Sequence, residues 1–150
     1  MWQRVLHTSA PASVLLVRLM VGAVFLSEGI QKFLFPDQLG VGRFLKIGLP
    51  VPELLAPFVG TTEIVCGTLV WLGLATRLAT IPLLIIMAVA LTTTKFPMLA
   101  NQGFWAMAHE VRTDWSMFLG SLFLLTVGAG RWSFDARVAS PTSRHMQGSA

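Results

Sequence analysis

Apolar residues in this 150-residue chain gather into four long blocks, at about residues 13–34, 54–74, 78–94 and 114–130, with short polar or proline-containing links between them. Hydrocarbon offers no partner to a backbone N–H or C=O, so a buried segment must be helical, and about 20 apolar residues are needed to cross it. Each block is therefore predicted to be a membrane span. Spans joined by short links run alternately up and down. The predicted fold class is all-α, an integral membrane up-down four-helix bundle. It occupies residues 1–136 as one domain and leaves residues 137–150 as a polar, disordered tail.

The links differ in chemistry. Residues 1–12 form a short polar lead, and Ser13 is a candidate cap for the first span. Arg18 interrupts that span and no small-residue cleavage site follows, so it reads as an uncleaved helix rather than a removed signal peptide. Pro36 ends it. Asp37 is placed to cap a short amphipathic piece over residues 38–47, where Arg43 and Lys46 stand among Leu39, Phe44, Leu45 and Ile47; such a piece lies in the interface plane. Pro52 and Pro57 fall near the start of the second span, where a missing N–H costs least. Thr92, Thr93 and Thr94, followed by Lys95 and Pro97, are expected to bring the third span to the surface. The third link, residues 101–114, then carries His109, Glu110, Arg112 and Asp114 close together.

Periodicity orients the spans. At about 100° per residue, Arg18, Gly22, Phe25, Gly29 and Lys32 share one stripe of the first span, with Glu28 beside Lys32 at i, i+4. Ala56, Gly60, Glu63 and Gly67 make a small-residue stripe on the second. Both stripes are expected to face a bundle interior, since small residues admit close helix approach and ionisable ones avoid lipid.

Composition narrows the function classes. The chain is 54% hydrophobic and 12% charged, with a mean hydropathy of +0.69. Its net charge of +4 comes from arginines in links and tails, without a basic run or interleaved aromatics, so no nucleic-acid partner is expected. The single cysteine, Cys66, rules out an intramolecular disulfide and a Cys-x-x-Cys pair; a small buried hydrophobe is its ordinary role. His7 and His145 lie in the tails, so bis-histidine haem is not expected, and His109, Glu110 and Asp114 have no metal-ligand spacing. Arg4, Arg77, Arg131, Arg137 and Arg144 collect on one side with only Asp135 against them, which places both termini in the cytoplasm.

Counted by helical rise from the opposite face, Lys32, Lys95, Arg112 and Asp114 sit at the interface. Glu28 lies roughly 9 Å in and Glu63 roughly 14–15 Å in, with His109 and Glu110 on the link above. An ionisable group in a span costs about 2.5–3.5 kcal/mol and so is paired or lines a polar cavity. Two readings meet that requirement. In one, Glu28, Glu63, His109, Glu110 and Asp114 form a proton-exchange or ligand pocket, with Lys32, Lys95 and Arg112 binding negative charge. In the other, the charges are staples, Glu28 with Lys32 and Glu63 with Lys95 or Arg112. His109 is a proton relay in the first and a link residue bonded to Glu110 or backbone in the second. Phe104, Trp105 and Trp115 read as interfacial anchors, with stacking on a quinone-like ring as the alternative.

Several ordered motifs carry a resemblance: Glu28-Gly29-Ile30-Gln31-Lys32-Phe33, Gly48-Leu49-Pro50 with Pro52-Glu53-Leu54, Glu63-Ile64 with Gly67, Gly73-Leu74-Ala75-Thr76-Arg77, and Thr94-Lys95-Phe96-Pro97. With His109-Glu110-Val111-Arg112-Thr113-Asp114 and Gly128-Ala129-Gly130 through Asp135-Ala136, the chain resembles the DoxX family of small bacterial four-helix membrane proteins over about residues 14–136. The resemblance implies a plasma (inner) membrane location and the lipid bilayer as surroundings. Named members are linked to quinone-coupled sulfur oxidation, others to membrane redox-stress complexes. It therefore implies an accessory subunit of a quinone-linked redox system, with other membrane redox subunits as partners and quinone as the ligand class, and it assigns no catalytic residues. The alternative is an assembly protein whose charges are only staples. A proton or small-solute pathway ranks last, because Arg18 is the only polar stepping stone toward the far face.

Overall fold

The computed structural model describes residues 10–138; most of the expected polar lead and tail, including His7 and His145, lies outside them. The described residues form helices and turns without a strand. In chain order they are α1 (Val14–Leu34), α2 (Val41–Lys46), α3 (Pro52–Leu72), α4 (Thr76–Ala90), a π-helical turn (Leu91–Lys95), α5 (Phe96–Gln102), α6 (Phe104–Glu110), α7 (Arg112–Val127) and α8 (Phe134–Val138).

Among the described residues, three helical segments are long and apolar enough to cross a membrane: Val14–Leu34, Pro52–Leu72 and the continuous run Thr76–Gln102. The block expected at 114–130 forms α7, a helix of 16 residues. By helical rise it covers roughly 24 Å, short of a hydrocarbon core of about 30 Å.

The third block runs eight residues beyond its expected end at Thr94, and the threonines explain why. Their hydroxyls do not face an aqueous link. Thr92 donates to the carbonyls of Ala88 and Val89, Thr93 to that of Val89, and Thr94 to that of Ala90, at 2.6–3.0 Å. The wider π turn loosens the local ladder, and hydroxyls bonded back onto their own helix satisfy it without water. Pro97, which has no N–H to give to this ladder, falls directly after the π turn, in the first turn of α5.

The charged stretch 101–114 is likewise not a loop. It breaks at Gly103, whose φ of 83° and ψ of 172° lie in a region open essentially to glycine, and is helical on both sides. α5 and α6 form a hairpin in which no residue is buried. Two expected caps also fail to form: neither Ser13 nor Asp37 makes a side-chain cap. The Gly42 N–H instead donates to the Pro36 carbonyl, and the amphipathic piece is the six-residue α2.

The most extensive helix pairing is α1 with α3, followed by α4 with α7, while α3 meets α4 and α1 meets α7. The predicted stripes build the first pair. Arg18, Gly22, Phe25 and Gly29 are all buried on α1, and Ala56, Gly60, Glu63 and Gly67 are all buried on α3. A Cβ added at Gly29 would lie 2.6 Å from the Gly60 carbonyl oxygen, and one at Gly22 would lie 2.8 Å from that of Gly67. The backbones are in direct contact and run antiparallel. Gly29→Ala is expected to lower stability by about 1–3 kcal/mol, the usual cost of overpacking. Thermal unfolding in detergent against Ala23→Gly, on the exposed side of the same helix, checks it. Around this contact, Val21, Phe25, Val70, Leu83 and Leu124 form the centre of the core.

Candidate functional site

Charged side chains inside the helix assembly fall into two groups, one at each end. At the first end meet the start of α1, the end of α3, the start of α4 and the end of α7. Helix ends leave carbonyls and amides without intrahelical partners, and charged side chains close three of them here. Arg18, 2% exposed, donates from Nε to the Val70 carbonyl at 3.1 Å and from Nη2 to that of Trp71 at 3.1 Å. Its Nη1 donates to the carbonyls of Ala129 and Trp132 at 2.9 and 2.7 Å. Arg77 donates to the Thr126 carbonyl at the end of α7 at 3.1 Å.

At the start of α4, the Asp135 carboxylate accepts from the Ala75 and Thr76 N–H groups at 2.6 and 3.1 Å. The Asp135 N–H in turn donates to the Gly73 carbonyl at 2.9 Å. Sequence reasoning uses Asp135 only as the lone acid among the arginines that set the orientation. In the structure Ser133 and Asp135 are buried, and this segment latches three helices. The signal available was the isolated acid Asp135 among arginines, within the Gly128-to-Ala136 motif.

The second end holds the predicted candidates, in two groups. Lys32 Nζ lies 2.6 Å from Glu63 Oε2 and 3.9 Å from Glu28 Oε2. Glu63 is 3% exposed, Lys32 12% and Glu28 50%. One ammonium thus serves a dry carboxylate tightly and a half-wet one loosely. The second group belongs to α4–α7. Lys95 Nζ pairs with Asp114 Oδ2 at 3.2 Å. Arg112 Nε donates to the His109 carbonyl at 2.7 Å, and its Nη2 lies 3.1 Å from His109 Nε2. A guanidinium only donates, so Nε2 accepts and the imidazole proton sits on Nδ1, which faces Glu110 Oε1 at 4.0 Å.

Among the described residues no hydrogen bond or ion pair joins the two groups. The expected pairing of Glu63 with Lys95 or Arg112 is therefore replaced by Glu63–Lys32 and Lys95–Asp114. The reason is reach: Lys32 faces Glu63 directly across the glycine contact, while Lys95 lies on a helix that pairs with α7. The expectation that His109 and Glu110 cover Glu28 and Glu63 gains no contact either, since both are exposed on α6. A groove of about 560 Å³ lies on the outer side of α1, lined by Ala23, Leu26, Ser27, Ile30, Gln31 and Leu34 with Trp71 of α3, so that Ser27 in its wall is next in sequence to Glu28. Gln31 Nε2 donates to Ser27 Oγ inside it at 2.9 Å.

The sequence model of the DoxX family matches residues 13–95. A relative in Mycobacterium tuberculosis, an uncharacterized membrane protein designated Rv3486, is 56% identical over 144 residues, covering 92% of this chain and 88% of its own length. A more distant relative in Bacillus subtilis, named "Putative oxidoreductase CatD", is 29% identical over 133 residues, covering 87% of this chain and 90% of its own. No solved structure matches.

Proposed function

The chain belongs to the DoxX family of membrane proteins, and from that premise we propose that it is an accessory subunit of a quinone-linked redox system. It would serve sulfur oxidation or oxidative-stress defence in the bacterial inner membrane. The observation that carries this reading is the single Lys32 ammonium placed between a buried and a half-exposed carboxylate. The name of the Bacillus subtilis relative agrees with a redox setting. We take α7 as a fourth crossing of an up-down bundle, lengthened by α6: only Val111 separates the two helices, and the Trp115 N–H donates to its carbonyl at 2.8 Å. Both termini then lie on one side, and the arginines gathered there, Arg77, Arg131 and Arg137, support its being the cytoplasmic one.

A quinone head group needs hydrogen-bonding groups at its carbonyls and apolar room for its ring, and the groove beside α1 fits both needs. Ser27 and Gln31 would hold the head group, with Leu26, Ile30 and Trp71 against the ring. A bound quinone supplies two-electron, two-proton chemistry. The chain's own contribution is at Glu28, roughly 9 Å from the end of α1 by helical rise. When Glu28 takes up a proton, Lys32 stays wholly with Glu63; when Glu28 gives it up, the same ammonium offsets the new charge. His109, Glu110 and Arg112, exposed on the hairpin side, would meet a partner subunit.

Glu28→Gln keeps the size and hydrogen bonding of the side chain but cannot exchange a proton. It is expected to lower quinone reduction in membranes at least tenfold per unit of this protein, with its abundance unchanged; proton-transfer groups commonly contribute 10²–10⁴-fold. A second reading, a purely structural assembly protein, is favoured by the direct 2.6 Å contact of Lys32 with Glu63. On that reading Glu28→Gln leaves the rate per protein at the wild-type level, so one measurement separates the two.

A further inference from the structure

At the end of the molecule opposite the Lys32 group, a second groove of about 420 Å³ is lined by Leu72, Arg131, Trp132, Ser133, Phe134 and Arg137. The quinone reading does not use it. We infer that this groove is a binding site for the head group of an anionic phospholipid, with Arg131 and Arg137 holding the phosphate and Trp132 and Phe134 seated at the glycerol level.

Three observations carry this assignment. The first is charge. Two guanidinium groups border the groove, and Arg131 makes no side-chain hydrogen bond or ion pair among the described residues. The Arg137 guanidinium stands 5.6 Å from the centre of the Phe134 ring, a cation–π contact that leaves its donors available. No acid lines the groove, and Asp135, between the two arginines in sequence, is buried with its carboxylate spent on the first amides of α4. Nothing negative therefore answers the two arginines from within the groove.

The second observation is position. Leu72 is the last residue of a membrane-crossing helix, so the groove opens at the level where hydrocarbon gives way to head groups. Guanidinium forks bind phosphate oxygens in pairs, and basic clefts at this level suit anionic lipid heads. The third is the aromatic rim. Trp132 is 69% exposed and Phe134 is also exposed, although both belong to a segment pinned by Arg18 and Asp135. The amphipathic Trp132 indole held outward at the boundary is stabilised by the head-group layer, with the apolar Phe134 ring beside it on the hydrocarbon side.

The test uses the full-length protein in detergent, titrated separately with phosphatidylglycerol, phosphatidylcholine and inorganic phosphate. Binding is read by native mass spectrometry and by the shift in thermal unfolding. Phosphatidylglycerol is expected to be retained and to raise the melting temperature, while phosphatidylcholine does neither. Arg131→Gln with Arg137→Gln should weaken phosphatidylglycerol binding about thirtyfold, since each arginine near an anionic surface contributes about a fivefold factor. Arg131→Gln alone should weaken it about fivefold, which keeps the test decisive if the double variant does not fold. Equal retention of both lipids overturns the assignment, as does undiminished phosphatidylglycerol binding in the variants. Displacement of the lipid by millimolar inorganic phosphate overturns it as well, because the site would then be one for free phosphate.

Discussion

Replacing Arg18 with leucine is expected to destabilise the protein by about 3–5 kcal/mol, the range found when one partner of a buried charged network is removed. The leucine would fit the apolar stripe well enough; the loss comes from what Arg18 leaves behind. Its three nitrogens hold the carbonyls of Val70, Trp71, Ala129 and Trp132. Two of these belong to the last turn of α3, where the helix dipole adds partial negative charge. In lipid-flanked surroundings a carbonyl released from a guanidinium has no water to turn to, and each unsatisfied buried group costs about 1–3 kcal/mol. Arg18→Lys should recover only part of the loss, because a point-like ammonium cannot span four acceptors in the geometry of a planar fork. Thermal unfolding in a fixed detergent checks the order wild type, lysine, leucine. A leucine variant as stable as wild type would show that the carbonyls find other partners.

The same network explains which parts of the fold could be read from the sequence. Helix periodicity is a local property, so the stripe from Arg18 to Lys32 and that from Ala56 to Gly67 announced their own faces, and the glycines announced the closeness of the contact. Latching at the first end is long-range. Arg18 reaches 111 residues along the chain to Ala129, and Asp135 returns 60 residues to Ala75. No spacing rule within a helix encodes either. Asp135 was visible as an isolated acid, but its role needed the knowledge that the start of α4 lies beside it.

Misreading of the stretch from Thr92 to Asp114 has a different physical origin. Polar residues in a row normally signal a surface link, because their side chains want water. Three successive threonines instead bond their own helix at the π turn, and Lys95 finds Asp114 across the hairpin. Both devices let polar residues continue a helix. Gly103 alone carries the chain reversal, and one glycine among seven polar or charged neighbours is a faint signal. The consequence for function is concrete: His109 and Glu110 rise on an exposed helix rather than folding over Glu28 and Glu63, so among the described residues these two carboxylates share Lys32 as their one cation.

That dependence on one ammonium makes Lys32→Met the second large effect. Methionine matches the aliphatic stem of lysine, so packing is nearly conserved and the change isolates the charge. Glu63, 3% exposed, then keeps its carboxylate with no cation among the described residues within ion-pair distance, and a loss of about 3–5 kcal/mol is expected. Glu63→Gln should cost less. The amide still accepts from Lys32, and Lys32 can lean toward the half-exposed Glu28, 3.9 Å away. Adding Glu63→Leu to Lys32→Met should restore most of the stability, because a buried ion pair replaced by apolar residues of similar volume is often neutral or better. The double-mutant cycle on thermal stability therefore has to show a coupling of about 2–3 kcal/mol. Additive losses would mean that the 2.6 Å contact contributes nothing as a pair, and the glycine interface between α1 and α3 would then hold these helices by packing alone.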